Sequence, residues 1–102
     1  MKVLALSVML SVFALLATPT HAADIAAGKA RAEASCVDCH GDDGKGDDES
    51  PEIAGLSVEK FTKAIHEYQD GTRTKNAKMT KEAKKLSAAE VANLAAYYAS
   101  LK

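Results

Sequence analysis

Tryptophan is absent from this 102-residue chain, and cysteine and proline occur only twice each. One pair of cysteines cannot build the disulfide-dense framework that holds many small secreted domains together. Aromatic side chains are nearly as scarce: beyond residue 22 there are only Phe61, Tyr68, Tyr97 and Tyr98. No segment alternates with the period of a strand, which argues against a sheet architecture. Charge of one sign is also lacking, the formal net charge being −1, and no nucleic-acid partner is expected.

Only one long apolar run is present. It extends from Val3 to Ala17, broken by Ser7 and Ser11, after Met1 and Lys2. A positive start, a run of about 15 apolar residues and the small residues Thr20 and Ala22 make the pattern of a secretory signal peptide. Cleavage is expected after Ala22, with Ala23 as the alternative, giving a signal over 1–22 and a single domain over 23–102. An uncleaved membrane anchor is the competing reading, but the run falls short of the roughly 20 residues a spanning helix needs. No stable membrane insertion is therefore expected after cleavage, and the mature chain should reside in the periplasm.

About 80 residues then remain, carrying all 14 acids and 12 of the 13 bases, a net charge of −2. So small a core, rich in alanine, is marginal without a staple. Something other than side chains should fill its middle.

The helical signals are local and clear. Asp24 is a candidate N-cap for an Ala-rich helix to about Ser35. Gly41 to Pro51 reads as an acidic turn-rich loop. Ser57 should cap a helix running to Asp70, with Leu56 and Phe61 spaced as a hydrophobic staple and Gly71 as C-cap. Phe61, Ala64, Ile65 and Tyr68 share one face of it. Thr72 to Lys85 reads as a polar loop-like stretch. Ser87 and Glu90 form a capping box, with Leu86 and Val91 as a second staple. Val91, Leu94, Ala95, Tyr98 and Leu101 then make an apolar stripe to the chain end.

Cys36-Val37-Asp38-Cys39-His40 is a C-x-x-C-H sequence, the attachment signature of c-type haem. Two thiols one helical turn apart can add to the two vinyl groups of a haem. The histidine that follows is then carried under the iron as its proximal ligand. As a disulfide the pair would close a tiny loop and stabilise little. A thioredoxin-like pair belongs in a βαβ context that is missing here. A zinc site needs four ligands, and after the signal is removed only His66 could join Cys36, Cys39 and His40. One covalently bound haem c is the expected cofactor.

The sixth ligand follows by elimination. Met1 and Met9 fall in the signal, so Met79 is the one methionine left to offer a soft thioether. It stands in a polar stretch able to wrap round the far face of the group. His66 is the rival, but it lies off the Phe61–Tyr68 stripe. His/Met ligation leaves no open iron position, which favours electron transfer over catalysis or gas binding, so no enzymatic activity is expected. The acids of Asp42 to Glu49 lack the alternating spacing of a calcium loop.

At these residues the chain resembles the class I cytochromes c, specifically the short bacterial periplasmic ones of the c-553 type. The likeness covers Gly28-Lys29-Ala30, Cys36 to Gly41, Pro51 to Gly55, Tyr68 to Arg73, Met79, Leu86-Ser87 and Leu94 to Leu101. It implies an all-α fold of three to five helices wrapped round one haem. It also implies that the first and last helices cross near Gly28 against a tyrosine of the Tyr97-Tyr98 pair. The Pro51 carbonyl should accept the His40 ring N–H, and Arg73 is either a propionate partner or a surface residue. Many relatives carry an aromatic where this chain has Ala30, Ala32 and Ala34.

The expected function is a one-electron Fe(III)/Fe(II) shuttle between redox proteins. The alternative is a tightly bound electron-accepting subunit of an oxidoreductase such as a sulfide dehydrogenase, which the Gly71–Leu101 half also resembles. From Asp38 to Glu52 there are seven acids and one base, Lys45. From Thr72 to Lys85 the bases Arg73, Lys75, Lys78, Lys81, Lys84 and Lys85 face a single acid, Glu82. If Met79 binds iron, these bases ring the haem edge and should meet an acidic docking face on the partner.

Overall fold

Capping chemistry sets where each helix begins. In the computed structural model, which describes residues 22–101, the Asp24 carboxylate accepts the Ala27 amide at 3.0 Å and opens α1, Ile25–Ser35. Ser57 does the same for α3, Val58–Asp70, accepting the Lys60 amide, and Gly71 closes it in the left-handed conformation. Ser87 and Glu90 form the full reciprocal box at the start of α5, Ala88–Ser100. The expected signal segment lies outside the described residues apart from Ala22.

Two helices depart from the reading of the sequence. The haem-type motif forms its own short helix, α2, Val37–His40, directly after α1. The stretch read as a polar loop contains α4, Ala77–Lys84. Its start is fixed by Asn76, whose carboxamide oxygen accepts the amides of Lys78 at 3.0 Å and Met79 at 3.1 Å. Ala77, Met79 and Ala83 are too few to write an apolar stripe, so the cap was the signal that mattered. Five helices and no strand make up the described residues, within the three to five helices expected.

The core is an α1–α5 crossing with α3 laid across it. Gly28 makes the crossing possible: a Cβ there would run into the Asn93 carbonyl and sit 2.9 Å from Tyr97 Cβ. The Asn93 side chain ties the same corner by accepting the Asp24 amide at 2.8 Å. Ala32 is fully buried, and Tyr97, 8% exposed, occupies the crossing. Tyr98, Leu94 and Ala95 are buried on the remaining faces of α5, with Tyr98 stacked on Phe61 at 5.6 Å between ring centroids. Helix α5 is therefore buried on more than one side, and its stripe ends at Leu101, which caps it half-buried. Three of the nine buried apolar residues are alanines. So thin a core leaves room for a further apolar body. No helix among the described residues is long and apolar enough to cross a membrane.

Candidate functional site

Cys36 and Cys39 stand at the two ends of one helical turn because α2 begins where α1 stops. The Cys36 carbonyl accepts the His40 amide at 3.0 Å, closing that turn. Both thiols are free, Cys36 half-buried and Cys39 exposed. Burial pushes the Cys36 thiol above its ordinary pKa, with the Ser35 hydroxyl opposing. The Tyr98 hydroxyl sits beside it, buried and without a hydrogen-bond partner, and burial raises its pKa as well.

His40 is buried, and its Nδ1 lies 2.8 Å from the Pro51 carbonyl oxygen. A carbonyl can only accept, so Nδ1 carries the proton and Nε2 keeps the lone pair a metal needs. The acidic loop is what delivers Pro51. It doubles back at Gly46, where a Cβ would collide with the Ser50 and Pro51 carbonyl groups. The Gly46 amide also donates to the His40 carbonyl at 2.8 Å, and the Ile53 and Ala54 amides donate to Gly44. Asp47 fixes the far end of the loop by accepting the Glu49 and Ser50 amides, which lower its pKa. These carboxylates thus shape the loop as well as charge it.

A cleft of about 580 Å³ opens between these elements. Cofactor pockets run from roughly 300 to 1,000 Å³. Cys36, Cys39, His40 and Pro51 line one part of it, and Met79 reaches it from α4. Ile53, Leu56, Phe61, Ala64, Ile65, Tyr68, Leu86 and Leu94 supply apolar walls. Ala64 and Tyr68, expected in the core, are half-buried and belong to this lining. His66 does not reach the cleft; it is exposed on the outer face of α3. Two thiols, a lone-pair nitrogen, a thioether and an apolar enclosure are a donor set that fits haem. The residues present therefore suit the group.

Of the six predicted rim bases, Arg73, Lys75 and Lys78 line the cleft, while Lys81, Lys84 and Lys85 lie away from it. Arg73 is partly engaged elsewhere, 3.4 Å from Glu67 and 5.5 Å from the Tyr68 ring centroid. Glu49, Glu52 and Glu82 also border the opening, so the rim is of mixed sign. Sequence reasoning missed Asn76, although an N-cap residue before good helix formers was readable. It also missed Gln69, whose carbonyl partners lie 14 and 17 residues away and leave no local trace.

Comparison with known proteins places the chain in a family. The family model described as "Cytochrome C oxidase, cbb3-type, subunit III" matches residues 23–97. The thiosulfate dehydrogenase electron acceptor of Thiomonas intermedia (strain K12) is 44% identical over 71 residues, 68% of this chain and 32% of that protein. This chain thus spans about a third of that relative's length. Cytochrome c-554(548) of Halomonas halodenitrificans is 40% identical over 82 residues, 78% of this chain and 98% of the relative. A solved thiosulfate dehydrogenase from Marichromatium purpuratum superposes with a TM-score of 0.71 at 28% identity, over 76% of this chain and 19% of that one. With a family model covering most of its length and a near end-to-end match to a short cytochrome, the chain belongs to the cytochrome c family, whose cofactor is haem c, and is a class I c-type cytochrome.

Proposed function

We propose that the chain is a periplasmic one-electron carrier, exported by residues 1–22 and holding a single haem c. Bound haem would supply a reversible Fe(III)/Fe(II) couple. Cys36 and Cys39 would tether it through two thioethers, and His40 Nε2 and Met79 sulfur would take the two axial positions. The observation that carries this reading is the His40 Nδ1 contact with the Pro51 carbonyl at 2.8 Å. It fixes the tautomer a proximal ligand requires, beside both cysteines and in the same cleft as Met79. With His40 and Met79 as the two side chains that would hold the iron, no coordination site would be left for substrate, which suits a group that only takes up and gives back an electron. Arg73, Lys75 and Lys78 on the rim support a partner with an acidic docking face.

A second reading, a tightly bound electron-accepting subunit, draws support from the printed role of the Thiomonas relative and from the structural likeness to a thiosulfate dehydrogenase. Such a subunit would show a large apolar patch. Among the described residues the exposed large hydrophobics are Ile25 and Val58, on different helices, which favours the shuttle. The test is to purify the protein from a periplasm able to attach haem, extract with acid–acetone, and titrate electrochemically. Haem retained after extraction, with a reversible one-electron wave from a species of monomer mass, is the expected result. Extractable haem would overturn the thioether assignment, and co-purification with a larger enzyme would favour the second reading.

A further inference from the structure

The helix that carries Met79 is weakly anchored by its own apolar contacts. Helix α4 is eight residues long and includes three lysines, and the one residue it buries fully is Ala83. An alanine buries little area, so the hydrophobic contribution at that contact is small. What holds the C-terminal end of α4 is an amide from α3. Gln69 Nε2 donates to the Ala83 carbonyl at 2.9 Å and to the Leu86 carbonyl at 3.3 Å. Ala83 lies in the last turn of α4, and its carbonyl also accepts the Leu86 amide at 3.1 Å, so Gln69 adds the link to α3 that the turn itself does not make. Leu86 stands immediately before Ser87, the cap of α5. One side chain therefore straddles the turn between α4 and α5 and fixes both to α3.

Met79 lies four residues before Ala83, about one helical turn, so the two share a face of α4. Holding Ala83 against α3 holds Met79 toward the cleft. We propose that Gln69 is a positioning residue for Met79, setting how firmly the thioether stays on the iron; this rests on Met79 being the sixth ligand. Without the amide, α4 swings on its remaining contacts, and the thioether leaves the axial position more often.

Imidazole titration of the ferric holoprotein, followed by visible absorption, reads this directly. Imidazole binds only when Met79 has stepped off, so its apparent affinity reports the opened fraction. Gln69→Leu should raise that affinity roughly fivefold, the worth of about one net hydrogen bond. Gln69→Glu keeps the shape but turns the donor toward two carbonyls into an acceptor, and should raise it further. It also serves if the leucine variant does not fold. Val91→Ala, a destabilising change in the core on α5, should leave the affinity within about twofold of wild type. Wild-type affinity in the Gln69 variants would overturn the proposal, even with a lowered denaturation midpoint. So would an equal rise in Val91→Ala, because general loosening would then suffice. Met79→Ala separates this from the ligand assignment: it should bind imidazole most tightly of all. If Met79→Ala binds as wild type does, the axial assignment itself has failed. If it binds tightly while the Gln69 variants do not, only the role of Gln69 has.

Discussion

Single atoms decide much of this site. The proton on His40 Nδ1 is placed there by one carbonyl, and the carbonyl is placed by a loop that only glycine at position 46 can close. The Tyr98 hydroxyl is the opposite case: buried, 1% exposed, and without a hydrogen-bond partner among the described residues. A buried donor left unpaired costs more than it returns. Tyr98→Phe should therefore be neutral or stabilising by up to about 1 kcal/mol in a denaturant titration of the holoprotein. A loss greater than about 1 kcal/mol would show that the hydroxyl is bonded in solution, to the Cys36 sulfur or to water. His40 and both cysteines were legible because their chemistry fixes their spacing in sequence. Gln69 was not, because its partners are backbone carbonyls brought near only by the fold.

At the scale of elements, what could be read was what a cap or a stripe writes locally. Asp24, Ser57, Gly71 and the Ser87–Glu90 box all stand where the helices begin and end. Helix α4 escaped notice because its apolar residues form no stripe, and its cap, Asn76, stands alone. The α5 box also links helices, since the Glu90 carboxylate lies 2.6 Å from Arg31 on α1. The Ser87 amide, and then Arg31, hold the Glu90 pKa below its ordinary 4.5. A carboxylate with a lowered folded-state pKa stabilises above its unfolded pKa, and loses that contribution as pH falls through the folded value. The stability difference between wild type and Glu90→Gln should thus be largest above about pH 5 and shrink as pH falls below 4.5. Denaturant midpoints at pH 7 and pH 3.5 check this; a gap that widens at low pH would contradict it.

For the whole molecule, the thin core and the central cleft are two views of one fact: buried apolar volume is missing that side chains do not supply. Cys36→Ser combined with Cys39→Ser should therefore yield a largely unfolded chain, and native helicity in its far-UV circular dichroism would count against this. Charge is distributed unevenly as well, with Lys75 and Lys78 on the rim and Asp42 and Asp48 in the acidic loop. Reversing Lys75 and Lys78 to Glu should slow electron exchange with an acidic partner by on the order of tenfold at low salt, and flatten its salt dependence. Reversing Asp42 and Asp48 to Lys should do much less, and equal effects would move the docking face elsewhere. Asp47 is unsuited to this comparison because its carboxylate accepts two loop amides. The central claim, that His40 and Met79 hold one haem iron between them, is tested most directly by the weak far-red absorption of methionine sulfur on ferric iron. That band should be present in the wild-type protein, vanish in Met79→Ala and persist in His66→Ala; its survival without Met79, or its loss with His66, would contradict the account.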